Sequence, residues 1–176
     1  VGHLVALGRR RIAFLGSRTG RERQPAHLRL RGWRQELEAH GLPADDSLVV
    51  VTDGYGRADG AHAMAALLDR GAAPDAVFAY NDLIAIGAMR TLAERGLSVP
   101  GDVAVVGFDD IEEARYGTVS LTTVSPDKEA IARLAVDSLV AQLKDGAPPS
   151  APRRPRPGHH LAVRESAPAA RPGGDR

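Results

Sequence analysis

Short apolar runs bounded by glycine, proline and aspartate alternate along the chain with longer stretches in which apolar positions recur every three or four residues. The first period predicts buried strands and the second amphipathic helices, and their alternation predicts βαβ units on a parallel sheet. Ile12 to Leu15 reads as the first strand, Leu28 to His40 as a helix stopped by Gly41, and Leu48 to Thr52 as the next strand. Asp59 is placed to cap a helix through Arg70, with Gly71 as its stop. Ala76 to Tyr80 predicts a short buried strand, followed by a helix from Leu83 to Arg95 that ends at Gly96. Val103 to Gly107, β-branched and flanked by Pro100-Gly101 and Asp109-Asp110, is the clearest strand. Ser120 to Val124 reads as a strand or hinge, with Ser125 as N-cap and Pro126 at the first position of a helix to Lys144. Ile131, Leu134, Ala135, Leu139 and Leu143 share one face of that helix, which must pack against something. The proline- and arginine-rich stretch from Gly146 to Gly158 reads as a loop, His160 to Arg164 as a last strand, and 167–176 as a disordered tail.

Composition narrows the function classes. The chain has 176 residues, 43% of them hydrophobic and 26% charged, with no uninterrupted apolar run that would span a bilayer. A formal charge of +1 does not advertise a nucleic-acid surface. Nine arginines between Arg9 and Arg34 form a local basic cluster, but no helix-turn-helix pattern accompanies them. They read as a solvated face plus one or two ligand-binding arginines. Zero cysteines excludes a disulfide framework and a thiolate zinc site, and is compatible with the cytoplasm. The opening residues lack both an initiator Met and a secretory signal, so the sequence is expected to begin inside a longer protein.

In an open parallel sheet, ligands bind outside the carboxyl ends of the strands, where loops and helix N-termini converge. Asp53 with Tyr55, Asn81-Asp82 and Asp109-Asp110 occupy such positions. A carboxylate accepts two hydrogen bonds side by side and an amide both donates and accepts, so Asp and Asn together match a vicinal diol. Tyr55 or Trp33 offers a ring for the apolar face of a sugar, although Trp33, at helical spacing from Leu30 and Leu37, reads better as core. Asn81 or Asp82 can cap the following helix, Asp82 being the better candidate, and Asp110 reads as a turn residue. Gly16-Ser17-Arg18-Thr19-Gly20 is neither a Walker loop nor a nucleophile elbow, and Asp53 to Gly60 lacks the acidic pattern of a calcium loop. His159-His160 has no metal partner at useful spacing. Nothing calls for a catalytic residue, a metal or a cofactor, and the chain is expected not to be an enzyme.

Five motifs in order carry a resemblance. They are Pro74-Asp75-Ala76-Val77-Phe78-Ala79-Tyr80-Asn81-Asp82, Ala85-Ile86-Gly87-Ala88, Gly96-Leu97-Ser98-Val99-Pro100-Gly101-Asp102-Val103, Val105-Val106-Gly107-Phe108-Asp109-Asp110 and Leu121-Thr122-Thr123-Val124. With the opening His3 to Gly16 and the closing Val163-Arg164-Glu165-Ser166, the chain resembles LacI-type bacterial transcription regulators over nearly its whole length.

The resemblance implies an α/β, periplasmic-binding-protein-like (type I) parallel sheet with helices on both faces, one lobe complete and the other partial. Residues 1–47 are then a remnant of the N-terminal lobe and 48–125 the C-terminal lobe, with 126–145 a helix returning to the N-terminal lobe, 146–166 a loop and last strand, and 167–176 the tail. It implies an effector site made of Arg29, Tyr55, Asn81 and Asp109, and dimer contacts at Ile86 and Tyr116. It further implies a small polyhydroxy effector such as a sugar, a cytoplasmic homodimer with no membrane contact, and operator DNA reached through an N-terminal headpiece that this chain lacks. After Leu-Thr-Thr-Val the family often places a Gln where this chain has Pro126, which removes a polar contact and leaves the effector's identity open. A sugar-binding protein of an ABC transporter shares the fold and is the alternative reading.

Overall fold

The computed structural model describes residues 1–17, 25–145 and 157–169. The elements are α1 (Gly2–Ala6), β1 (Ile12–Ser17), α2 (Pro25–Ala39), a 3₁₀ turn (Asp46–Leu48), β2 (Val49–Thr52), α3 (Arg57–Asp69), β3 (Ala76–Ala79), α4 (Asp82–Glu94), β4 (Ala104–Phe108), α5 (Glu113–Tyr116), β5 (Thr122–Pro126), α6 (Lys128–Asp145) and β6 (His159–Ala162). The strands form one sheet in the order β2-β1-β3-β4-β5-β6. All neighbours are parallel except β5 and β6, which are antiparallel.

Burial on both sides of the sheet explains why the strands read as continuous apolar runs. Ala13, Leu15, Val77, Ala79 and Val105 point into a core shared with α3 and α4. The alternating Ile12, Phe14, Ala76, Phe78, Ala104 and Val106 point into a second core under α1 and α2, where Trp33 is fully buried. The Trp33 indole donates to the Ile12 carbonyl at 3.1 Å, so Trp33 is core and not a sugar platform.

Gly41, Gly71 and Gly96 follow α2, α3 and α4 at φ 67°, 75° and 74°. This is the left-handed conformation that stops a helix and that glycine adopts without strain. Glycine has a different use where α3 meets α4. A Cβ on Gly60 would run into the Ile84 carbonyl, and one on Gly87 into the Arg57 carbonyl. The two helices touch backbone to backbone, and neither obstacle is a side chain that can swing away.

Several expectations are corrected. The division at residue 47 has no counterpart in the sheet, because β1 pairs with both β2 and β3 at the centre of the same layer that holds 48–125. The described residues therefore make one sheet rather than one lobe plus a remnant. α3 starts before Asp59, whose carboxylate accepts from the Gly56 N–H at 2.9 Å from inside the first turn. Ser125 and Pro126 remain in β5, and Asp127 caps α6 by accepting from the Ala130 N–H at 2.9 Å. The tail does not begin at 167. Ala167 is fully buried in the second core, and its carbonyl accepts from Thr122 at 3.2 Å and lies 2.8 Å from the His3 ring nitrogen. Most of the expected loop, and the tail beyond Ala169, lie outside the described residues.

The apolar face of α6 is exposed, with Ile131, Leu139 and Leu143 at 43%, 57% and 75%. No helix among the described residues is long and apolar enough to cross a membrane. The arginines at 9–11 serve the fold: Arg9 donates to the Pro100 carbonyl at 2.5 Å, Arg10 to Val5 at 3.0 Å and Arg11 to Ala73 at 3.0 Å.

Gly87→Ala is expected to destabilise the chain by about 3 kcal/mol, because the clash is with backbone. Gly32→Ala, in the interior of α2 with open space around its Cα, is expected to stabilise it by about 1 kcal/mol. Urea denaturation of the two variants checks both signs.

Candidate functional site

The strand order places the carboxyl ends of β1, β3 and β4 side by side, and the loops leaving them carry the candidate residues. Arg29, in the first turns of α2, reaches this rim. Its guanidinium lies 4.3 Å from the centre of the Tyr80 ring and 3.7 Å from that of Phe108, and donates to the Tyr80 carbonyl at 2.5 Å. A cation held between two rings is attracted by both π faces and fixed in orientation. From there one nitrogen lies 3.8 Å from the Asp109 carboxylate. The pair is close without being tightly closed, and the Asp109 side chain stays 43% exposed.

Asn81 is nearly buried. Its side-chain oxygen accepts from the Ile84 N–H at 2.9 Å and caps α4, while its amide donates to the Tyr55 carbonyl at 3.1 Å. The Tyr55 ring, 46% exposed, stands 5.3 Å from the Tyr80 ring. Arg29, Tyr55, Asn81 and Asp109 are thus brought to one rim, connected through Tyr80.

Of the two residues that could cap α4, Asn81 makes the cap and Asp82 does not. Asp82 is fully buried, with one oxygen accepting from Thr123 Oγ1 at 2.5 Å and the other from the Ile111 N–H at 2.9 Å. Asp110 is more than a turn residue. Its carboxylate accepts from Arg164 at 2.5 Å and Ser125 at 2.9 Å, with Arg115 at 3.4 Å. Asp53, the remaining rim carboxylate, is exposed. Tyr80 and Phe108 were not among the sequence candidates. The available signal was an aromatic residue immediately before each polar one, Tyr80-Asn81 and Phe108-Asp109.

Burial pushes the Asp109 carboxyl above the usual carboxylate range, and the charges of Arg29 and Lys128 oppose it without prevailing. Burial also raises Asp82, against the hydrogen bonds from Thr123 and Ile111. At Asp110 burial again pushes upward, but bonds from Arg164 and Ser125 and the charges of Arg164 and Arg115 outweigh it and hold the carboxyl low. Among the described residues no group of three or more His, Asp or Glu side chains is placed to hold a metal ion.

Ile86 and Tyr116 lie elsewhere, on the α4–α5 side. There a groove of about 730 Å³ is lined by Arg57, Ile86, Met89, Leu97, Tyr116 and Leu121, among others.

Residues 1–167 match the model of the periplasmic binding protein-like domain. The chain belongs to this family, in the branch of the LacI-type regulators. The ribose operon repressor of Escherichia coli K12 is 38% identical over 142 residues, which are 80% of this chain and 42% of that protein. Among solved structures, a LacI-family transcriptional regulator of Sanguibacter keddieii is 48% identical with a TM-score of 0.88, over 94% of this chain and 61% of that one. The complex of the regulator CelR with cellobiose is 37% identical at 0.84, over 94% and 49%. The lac repressor dimer bound to operator and the anti-inducer ONPF is 31% identical at 0.83, over 95% and 48%. The chain therefore spans about half the length of these LacI-type relatives.

The opposed shifts give opposed pH dependences. Asp82 is raised, so its contribution favours the fold at low pH and is lost as pH climbs from 3.8 through its higher folded value. Asp110 is lowered, so its contribution is present above 3.8 and lost as pH falls through its lower folded value. Asp82→Asn should therefore gain stability relative to the parent as pH rises, and Asp110→Asn should lose it. Urea midpoints across the acid range test this, and differences of the same sign would contradict it.

Proposed function

We propose that Arg29, Tyr55, Asn81 and Asp109 bind a small polyhydroxy effector, a sugar in the first instance. The chain is then the non-enzymatic sensing part of a cytoplasmic LacI-type transcriptional repressor. The observation that carries this reading is the open pairing of Arg29 with Asp109. A guanidinium clamped between Tyr80 and Phe108 cannot swing away, and at 3.8 Å it leaves hydrogen-bonding capacity unused on both partners. One sugar hydroxyl can accept from Arg29 while its neighbour donates to Asp109, which a vicinal diol does without strain. The exposed Tyr55 ring offers a face for sugar C–H groups. Asn81 has committed one bond at each end of its amide, and serves the site by holding the Tyr55 loop and offering its second amide hydrogen.

The ribose operon repressor and the CelR–cellobiose complex support a sugar as the effector class. Operator DNA is then reached through a headpiece outside these residues, and effector binding acts by shifting a population of lobe orientations. Tenfold tighter binding to one orientation corresponds to about 1.4 kcal/mol, within reach of one or two polar contacts. The apolar groove at Ile86 and Tyr116 is the proposed homodimer face, in keeping with the dimeric lac repressor.

Calorimetry with ribose and cellobiose tests the site. Binding of at least one is expected, with Asp109→Asn or Arg29→Ala weakening it by roughly tenfold to a hundredfold, the worth of a hydrogen bond to a charged group. Unchanged affinity in both variants refutes the assignment. For the dimer face, Ile86→Asp is expected to convert a dimer into a monomer in sedimentation analysis with the thermal transition preserved, whereas a dimer that survives rules that face out.

A further inference from the structure

Asp109 and Asp110 both have positive φ, 111° and 52°. Residues other than glycine adopt this conformation rarely and keep it only where the surroundings hold them. What holds Asp110 is not local. Its side chain is 9% exposed and bonded to Arg164, just past β6, to Ser125 in β5 and to Arg115 in α5. Its carbonyl accepts from Lys128 Nζ, at the first position of α6, at 2.8 Å. Arg164 in turn donates to the Leu121 carbonyl at 2.7 Å, and the Asp109 N–H donates to Val124 in β5 at 3.0 Å.

These partners gather where α6 leaves the sheet. The chain enters α6 from β5 and returns to the sheet through β6, antiparallel to β5. The exposed Ile131, Val136, Leu139 and Leu143 make α6 the described element least held by a core. Its position relative to the rim is therefore set at its base, by the β5–β6 stem and by whatever grips that stem. Asp110 grips the stem from the residue next to the candidate effector carboxylate.

We propose that Asp110 is a positioning residue that, with Arg164, locks the Asp109 loop onto the β5–β6 stem and so couples effector occupancy to the base of α6. This rests on the reading of Asp109 as an effector contact. A carboxylate is required because it accepts from Arg164 and Ser125 at once, whereas an amide of the same shape loses the charge-assisted bond.

Hydrogen exchange without any sugar tests the lock directly, using the whole chain and the variants Asp110→Asn, Arg164→Gln and Arg164→Lys. In the first two, the amides of Asp109, Ile111, Asp127 and Ile131 are expected to exchange about tenfold faster, as for a lost net hydrogen bond, with β1 and β3 unchanged. Arg164→Lys should restore part of the protection, and the double variant Asp110→Asn/Arg164→Gln should exchange more slowly than the product of the two single effects, since both remove the bond that the two residues share. Calorimetry with ribose and cellobiose supplies the readout that a merely structural role would not move. Asp110→Asn should weaken binding about tenfold, and sugar-induced protection of residues 127–131 in the parent should vanish in the variant. Unchanged exchange at the base of α6 in both variants overturns the proposal. Faster exchange with undiminished affinity also overturns it, because Asp110 would then hold the stem without serving the site. If the parent binds neither sugar, the effector reading falls, and with it the coupling, while the exchange arm still decides whether the lock itself exists.

Discussion

A carboxylate without exposed surface stands where three elements meet. Asp82 opens α4, and the two groups that make its burial tolerable come from β5 and from the loop after β4. Burying an ionisable group without donors is costly enough that the structure has to keep both in place. The same carboxylate occupies the space where a Cβ of residue 107 would be, so β4 needs Gly107 beside it. The start of α4, the register of β5 and the path of the chain after Phe108 are therefore set jointly. Asn81 precedes Asp82, and Asp109 lies two residues before Ile111. The amide and the carboxylate of the candidate site thus inherit their separation from a buried bond that neither of them makes.

Much of the fold was legible in the sequence because its strands are buried on both faces and its helices end on glycine. A run such as Ala76 to Ala79 has no solvent-facing side to interrupt it, and Gly41, Gly71 and Gly96 mark stops that only a left-handed residue makes cheaply. What misled was competition among nearby polar residues. Ser125-Pro126 has the composition of a helix start, but Ser125 is drawn to Asp110, fifteen positions away, and Asp127 caps in its place. Ala167 looks like the first residue of a tail because nothing in its neighbourhood reveals that it joins the buried cluster that holds Leu4, Trp33 and Ala104. The division at residue 47 came from the resemblance rather than from the residues, and the pairing of β1 with β2 and β3 removed it.

The site was legible to a different depth. Position alone nominated Asn81 and Asp109, since polar residues at strand ends are where an open parallel sheet presents them. Arg29 came only by resemblance, because nothing in the spacing of α2 shows that its side chain ends between Tyr80 and Phe108. Asp110 was undervalued for the same reason. Its strongest partner, Arg164, lies fifty-four residues downstream, and no local pattern encodes such a pair. Residues that hold a site in place are harder to read than those that line it, since their partners are set by topology.

The distribution of rigidity decides where the proposed response to an effector has room to act. α4 is pinned at its start by Asn81 and Asp82 and along its flank by the backbone contacts at Gly60 and Gly87. A helix held at both places cannot slide without breaking a buried bond or forcing backbone into backbone. The groove at Ile86 and Met89 travels with it, and is therefore a constant surface, suited to a permanent contact rather than to a moving one. The compliance has to lie at the β5–β6 edge of the sheet, where α6 exposes its apolar face and the stem is fastened by a few polar bonds at Asp110. Hydrogen bonds to charged groups of this kind contribute about 1.5–3 kcal/mol each, so they can be broken singly without disrupting a core. Packed cores switch between arrangements instead of deforming smoothly, so a small change at Asp109 is transmitted only through contacts that have an alternative partner. The polar fastening at the base of α6 offers one, since Asp110 has both Arg164 and Arg115 within reach, and the glycine-lined contact between α3 and α4 does not.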